Sequence, residues 1–157
     1  MNKIIVAILT FLLWLMPWFT PWYTALQRRT FDENVIWSKI AQCVETNDLT
    51  TIEAMMQPWI KQNIPDLPGK IGELFGKIEG DITAVVISPE KIPQVYNQGV
   101  QSAAKVFVIG TTDEQVYHLR VVYEFANVHD RHEIGIARFQ LVKGTKILAD
   151  IKTPQYK

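Results

Sequence analysis

The sequence predicts an α+β protein in which N-terminal helices pack on a curved antiparallel sheet, preceded by one transmembrane or signal helix. Three observations support this class. Residues 4–26 are uncharged and largely apolar, three stretches between residues 30 and 78 carry apolar residues at helical spacing, and β-branched or alternating stretches follow from residue 81. Helices followed by antiparallel strands are the element order of an α+β domain. We place one domain at residues 28–157, after an N-terminal segment of residues 1–27.

The N-terminal segment has the composition of a membrane helix or an export signal. No charged residue occurs between Lys3 and Arg28, and roughly 20 apolar residues are enough for a helix to span a bilayer. Tryptophans in its second half are typical of the membrane interface, while Pro17 and Pro21 limit the regular helix to residues 4–16. Three interpretations of this segment stay open: an uncleaved signal anchor, a cleaved signal peptide and a buried soluble helix. We favour the anchor.

Processing and orientation follow from the residues that flank this segment. A cleaved signal needs small residues at the first and third positions before the cut, and Tyr23 would fill the third position if Ala25 filled the first. No cysteine lies directly after the apolar run, which excludes lipoprotein processing. Lys3 and the pair Arg28 and Arg29 nearly balance the positive-inside rule. Because a short positive head is the usual start of an export signal, we expect a cell-membrane protein with an extracytoplasmic C-terminal domain.

Helix signals fill the first part of the domain. Thr30 with Glu33, and Thr50 with Glu53, have capping-box spacing, so we expect two helices to start there. Pro58 should kink or restart the second helix. The expected apolar positions of the three helices are Ile36, Ile40, Cys43 and Val44, then Ile52, Met55, Met56, Trp59 and Ile60, then Leu67, Ile71, Leu74, Phe75 and Ile78.

Strand signals fill the rest of the domain. Residues 116–125 alternate between an apolar face and a mixed face, which is the period of a half-buried strand. The expected strands are residues 81–88, 100–111, 115–126, 133–143 and 146–152, with residues 89–99 irregular. A curved sheet of these strands, covered on one side by helices, would form a cone with a cavity inside.

Four phrases of the sequence resemble a known superfamily. They are NDLTTIEAMM (47–56), ELFGKIEGDITA (73–84), VYHLRVVYEF (116–125) and EIGIARFQLV (133–142). In element order and in these phrases the chain resembles the nuclear-transport-factor-2-like (NTF2-like) superfamily, over residues 31–145. Within it, the chain is most similar to a family of uncharacterised lipoproteins, mainly from Gram-positive bacteria. The resemblance implies a cone-shaped external domain and a homodimer through the sheet face, and it implies no activity.

Composition excludes several functions. Lysine plus arginine equals aspartate plus glutamate at 16 each, so the formal net charge of +0 excludes nucleic-acid binding by bulk positive charge. A single cysteine, Cys43, excludes an intramolecular disulfide framework and CxxC sites. Its place between Ile40 and Val44 on the apolar side of a helix predicts a core residue rather than a nucleophile. No nucleotide-loop or hydrolase motif occurs, and we predict no cofactor and no catalytic residue.

Two groups of residues are weak candidates for binding. His129 and His132 flank Asp130 and Arg131 and precede Glu133, a set that could ligate a transition metal, but we favour a plain polar loop here. The candidates for a ligand pocket in the cone are Trp59, Tyr96, Tyr117, Tyr123 and Glu124. The alternative is that the tyrosines belong to the core and that Glu124 and Arg120 form a solvated face.

The sequence favours a non-catalytic binding module at the outer face of a bacterial membrane, for a small apolar ligand or a protein partner. An enzyme that uses an acidic residue with tyrosines for proton transfer is one alternative, and a structural subunit of an envelope assembly is another. A carboxyl such as Glu124 or Asp81 directed into a cavity would favour the enzyme. An interior sealed by large side chains would remove the cavity functions, and an exposed apolar sheet face would favour the assembly subunit.

Overall fold

The computed structural model describes residues 32–90, 92–97, 99–127 and 133–154. Within these ranges, four helices precede six strands, which confirms the α+β class. The helices are α1 (Glu33–Glu45), α2 (Leu49–Met55), α3 (Pro58–Asn63) and α4 (Leu67–Phe75). The strands are β1 (Ile82–Ile87), β2 (Val95–Asn97), β3 (Val100–Thr111), β4 (Val116–Asn127), β5 (Gly135–Lys143) and β6 (Lys146–Lys152).

The predicted anchor in residues 1–27 lies outside the described residues. Among the residues described, no helix is both long enough and apolar enough to span a membrane.

Aspartate side chains cap the helices where the sequence predicted threonines. The Asp32 carboxylate accepts hydrogen bonds from the backbone N–H groups of Asn34 and Val35, at 3.0 and 3.3 Å, so α1 begins at Glu33. Asp48 accepts in the same way from Thr51 N at 3.0 Å, and α2 begins at Leu49. An aspartate at this position satisfies a backbone N–H group that the helix itself leaves unpaired.

The predicted interruption at Pro58 is confirmed, because α3 begins at that residue. Between α2 and α3 the chain is extended and runs beside the start of β5. Gln57 N donates a hydrogen bond to Ile136 O at 3.1 Å, and Met56 forms an isolated parallel bridge with Ile136. This linker joins the helices to the start of β5, before the residues of β5 that pair with β6.

The sheet is antiparallel throughout, with the strand order β1-β3-β4-β5-β6 and with β2 paired to β3 beside β1. The short strand β2 lies in the stretch that the sequence predicted to be irregular. The pairing register shifts once in each of four strand pairs. Such bulges bend a strand and increase its twist, so they favour a curved sheet.

One face of the sheet packs on the helices. Trp37 on α1 makes edge-on ring contacts with Phe107 and Tyr123, at centroid distances of 6.3 and 6.4 Å, and Phe75 on α4 contacts Phe139 at 6.0 Å. The largest fully buried side chains are Tyr117, Phe107, Phe139, Ile40, Ile52, Met56, Ile60, Ile71, Leu74, Ile109, Leu119 and Ile136. These side chains form one continuous core between the two layers.

Candidate functional site

The five ligand candidates do not converge on one point of the structure. Tyr96 lies on the short strand β2 and is 63% exposed, whereas Tyr117 in the middle of the core is fully buried. Trp59 lies in the first turn of α3, and Tyr123 and Glu124 lie toward the end of β4. The sequence pattern correctly placed most of them on apolar positions, but it could not show that they lie in different parts of the fold.

Tyr117 is held by structural contacts. Its hydroxyl accepts a hydrogen bond from the backbone N–H of Glu79 at 3.1 Å and donates to the Glu79 carboxylate at 3.4 Å. The same carboxylate pairs with the Lys143 ammonium at 2.7 Å, which lies 5.1 Å from the centre of the Tyr117 ring. The hydrogen bond from Lys143 lowers the pKa of Glu79, and the same bond raises the pKa of Lys143. This cluster ties the turn after α4 to β4 and β5.

Tyr123 and Glu124 point to opposite faces of β4, because successive residues of a strand alternate. Tyr123 contacts Trp37 on the helical side, and burial raises the pKa of its hydroxyl. Glu124 is fully buried, directly between Ser102 on β3 and Gly135 on β5. Of the two residues expected on a solvated face, Arg120 is exposed and Glu124 is buried.

The remaining candidates are placed as follows. The backbone N–H of Trp59 donates to the Glu133 carboxylate at 3.2 Å, and its side chain is half-buried against the core. His129 and His132 lie outside the described residues, within which no group of three or more histidine, cysteine or acidic residues could hold a metal. Cys43 is buried in the core, and this burial raises the pKa of its thiol.

The face of the sheet turned away from the helices carries exposed apolar residues. We call it the outer face; it comprises the residues of β1 and β3–β6 that alternate with the core residues. Its apolar members are Ala84, Val86, Ala104, Val106, Val108, Val116, Val122, Val142 and Ile147, of which Val142 is buried. Val86, Val116 and Ile147 are 58%, 50% and 54% exposed. Contiguous apolar groups on a protein surface are typical of an interaction site.

The charged members of the outer face lie on β4, β5 and β6. The Arg138 guanidinium forms two hydrogen bonds with Asp150, at 3.0 and 2.8 Å, and Lys152 lies 3.1 Å from the same carboxylate. Although partial burial alone would raise the pKa of Asp150, the hydrogen bonds from Arg138 and Lys152 bring it below its usual value. One acid on this face is therefore paired with two cations.

Arg120 and Gln140 stand side by side between these groups. They are direct cross-strand partners, and Val106 and Asp150 continue the same row on either side. Arg120 is exposed, while Gln140 is only 2% exposed. The Gln140 Nε2 donor is buried and has no hydrogen-bond partner among the described residues. Alternation in residues 116–125 predicted a mixed face here, but the burial of Gln140 depends on its neighbours across the sheet.

Two hollows occur elsewhere on the described surface. One of about 510 Å³ lies between the end of α1, the end of α4 and the start of β1. The other, of about 430 Å³, is lined by Lys77, Glu79, Lys143 and Lys146 with parts of Gly76 and Leu148. Asp81 lines the first hollow, but neither hollow includes any of the five ligand candidates, so these hollows do not correspond to the expected cavity.

The fold and the surface together define a two-layer α+β domain whose outer sheet face carries exposed apolar side chains. The chain belongs to the family described as a domain of unknown function, DUF5104, whose model matches residues 39–144. That range is more than half of the chain and runs from α1 to the turn after β5. No curated protein matches the sequence.

Proposed function

We propose that this protein is a non-catalytic binding module, anchored at the outer face of a bacterial membrane, that binds a protein partner through the outer face of its sheet. The observation that carries the proposal is the exposure of Val86, Val116 and Ile147 on the outer face. Covering exposed apolar surface with a partner releases about 25 cal/mol per Å² removed from water. An extended apolar face gives a protein partner more contact than it gives a small molecule.

The packing of the interior supports a protein partner over a small apolar ligand. Where α1 and α4 cover the sheet, Phe107, Tyr117 and Phe139 are fully buried and fill the space between the layers. A ligand in that space would have to displace side chains packed at the density of a protein core.

The proposed location rests on the N-terminal sequence. The charge-free run of residues 4–26 fits an uncleaved anchor, and a reporter fused to Lys157 that is active only outside the cytoplasm tests it. Mass spectrometry of the N-terminus in the membrane fraction distinguishes an anchor from a cleaved signal. An active reporter with residues 1–26 retained is the expected result. An inactive reporter would place the domain inside the cell and overturn the location.

We also propose that the domain has the NTF2-like cone architecture. The order of helices before strands, the sheet order and the four register shifts support this assignment. The resemblance to bacterial lipoproteins then supports an external domain in which a membrane-spanning anchor replaces the lipid.

Photo-crosslinking in the native membrane tests the binding function. A photoreactive phenylalanine analogue at Val108 on the outer face should give a discrete crosslinked product. The same analogue at Val35, which is 61% exposed on α1 and lies on the opposite layer, is the matched control and should give none. Crosslinks from Val35 alone would move the binding surface to the helices.

A structural subunit of an envelope assembly is the second candidate, because the same exposed apolar face also fits that role. In such a subunit, the N-terminal helix would pack on partner helices. Replacing residues 1–27 with an unrelated anchor distinguishes the two roles. A binding module keeps the crosslink from Val108, whereas an assembly subunit loses it.

A cavity enzyme stays the third candidate because of the buried carboxyl group of Glu124. Gln101, Ser102 and Asn127 are also buried at this end of β3 and β4, so polar side chains concentrate there. An enzyme would require Glu124 to reach bound substrate. Glu124→Gln tests this candidate. If the variant keeps its stability and the Val108 crosslink but loses the cellular role of the protein, an enzyme is the better interpretation than a binding module.

A further inference from the structure

We infer that the outer face binds an acidic protein segment, one that presents a carboxylate to Arg120 and apolar side chains to the valines around it. The inference rests on the proposed function and specifies the partner. It is carried by the position, the neighbours and the charge of Arg120.

Arg120 stands at the centre of the outer face, because β4 is the middle strand of the five that form the main sheet path. Val106 is its direct partner on β3, and Val122 lies two residues along the same side of β4. The guanidinium is exposed and forms no ion pair with any described residue. A cation inside an apolar surface is a recognition element when a partner supplies the opposite charge.

The neighbouring acid does not neutralise Arg120. Asp150 lies on the same row, one strand beyond Gln140, but its two oxygens already pair with Arg138 and Lys152. With Glu124 included, three cations stand against two acids on the outer face, although the whole chain has a formal net charge of +0.

Gln140 lies directly beside Arg120 but offers a partner no accessible donor. Its side chain is almost completely buried, including the Nε2 atom. A partner on this row therefore meets the Arg120 guanidinium and not the Gln140 amide. A carboxylate has two acceptor oxygens, and it matches the planar guanidinium in a two-pronged hydrogen-bonded geometry.

The surrounding valines make this charge pair specific. When Val106, Val108 and Val122 are covered by a partner, water leaves the neighbourhood of Arg120. Electrostatic interactions are stronger in such a setting, and a partner without a carboxylate would leave the guanidinium desolvated and unpaired. Apolar contact and a single acid are therefore required together.

The charge of the face also bears on the homodimer that the sequence resemblance implies. Because Arg120 stands at the centre of the face, a two-fold axis through that centre would bring its own copy toward it. Like charges brought together in an interface disfavour association. We therefore assign the face to a different, acidic protein, and the homodimer becomes an outcome of the test.

Selection from a random peptide library displayed on phage tests the inference. The bait is the full-length chain in detergent micelles, and Val108→Asp serves as the counter-selection bait. Peptides that bind the wild type and not Val108→Asp are ligands of the outer face. We expect them to share an aspartate, a glutamate or a free C-terminal carboxylate at a fixed distance from apolar residues.

Substitution at Arg120 then identifies the receptor. Arg120→Met keeps the apolar stem and should weaken a selected peptide by about tenfold or more. Lys70→Met, an exposed cation on α4, is the control and should leave binding unchanged. Arg120→Glu should bind a peptide whose acid is replaced by lysine better than it binds the original peptide.

Each outcome decides between the two proposals. Peptides that bind the outer face without a shared acid, or that are indifferent to Arg120→Met, overturn the acidic partner and leave the binding module standing. No ligand that distinguishes the wild type from Val108→Asp overturns both. A bait that is dimeric through this face, with Val108→Asp monomeric, assigns the face to a second copy instead.

Discussion

Val106 on β3 and Arg120 on β4 are direct cross-strand partners on the outer face. A half-buried valine therefore lies beside an exposed guanidinium, and a buried glutamine lies on the other side of that guanidinium. This row joins the apolar part of the face to its charged part. Both the proposed function and the proposed partner depend on it.

Gly135 is expected to be intolerant of any side chain. Its φ is +140°, and a Cβ added there would lie 2.6 Å from Met55 O at the end of α2 and 3.1 Å from Gln57 N in the linker that follows. Gly135→Ala should therefore cost about 2–4 kcal/mol of unfolding free energy, measured by urea denaturation.

Gly72 is the matched control for that substitution. It lies inside α4, and a Cβ added there meets nothing within 4 Å. Gly72→Ala should stabilise the protein by about 0.5–1 kcal/mol, because alanine loses less conformational freedom in a helix. Equal effects at the two glycines would refute the described contact between the linker and β5.

The Tyr117 hydroxyl is expected to stabilise the fold rather than bind a ligand. Tyr117→Phe keeps the ring under Lys143 but leaves the Glu79 N–H without its acceptor. We expect a loss of about 1 kcal/mol in thermal or chemical unfolding. Tyr96→Phe, at an exposed position, should change nothing. A Tyr117→Phe protein as stable as the wild type would contradict the described hydrogen bond.

Asp150 should make the stability depend on pH in the acid range. The cations beside it lower its pKa in the folded state, so its contribution is present above the unfolded-state pKa of about 4. That contribution is lost as the pH falls through the lower folded-state value.

Asp150→Asn should therefore cost about 1 kcal/mol at neutral pH and show a shallower loss of stability on acidification. Urea unfolding at neutral pH and at about pH 3 measures both effects. Asp48 also has a lowered pKa, because of its hydrogen bonds with Thr51, so part of the acid sensitivity remains in the variant. Parallel curves for the two proteins would be inconsistent with the Asp150 pairing.

Two substitutions test which residue caps the N-terminus of α2. Asp48 accepts from both the backbone and the hydroxyl of Thr51, at 3.0 and 2.6 Å. Asp48→Ala should lower the stability measured by urea denaturation, because a backbone N–H group of the first turn loses its acceptor. Thr50→Ala, which removes the residue that sequence spacing predicted as the cap, should cost less. The reverse order would return the cap to Thr50.

The strands were predictable where their signals were local. The bounds of β3 and β6 agree with the predictions because turn residues flank a continuous run of strand formers. The strand β2 was not predictable, since its three residues are exposed and depend on pairing with β3 for their conformation. Helix starts were displaced by two residues at α2 because an aspartate and a threonine there compete for the same capping role.

The candidate site was less predictable than the fold. The alternation in β4 correctly separated a core face from a mixed face, which identified Tyr117 and Arg120 as opposite in character. The contact of Tyr117 with Glu79 joins residues far apart in sequence, and no local pattern reports it. The burial of Glu124 and Gln140 likewise depends on neighbouring strands, so their exposure could not be inferred from β4 and β5 alone.

Hydroxyl-radical footprinting tests the central claim most directly. Oxidation of His118, which lies on the outer face beside Val108, is compared between native membranes and the purified full-length protein. Tyr96, exposed on β2 at the sheet edge, reports general accessibility in both samples. If a partner covers the outer face, His118 is protected in membranes relative to the purified protein while Tyr96 is not. Equal oxidation of His118 in the two samples would contradict the binding function proposed for this face.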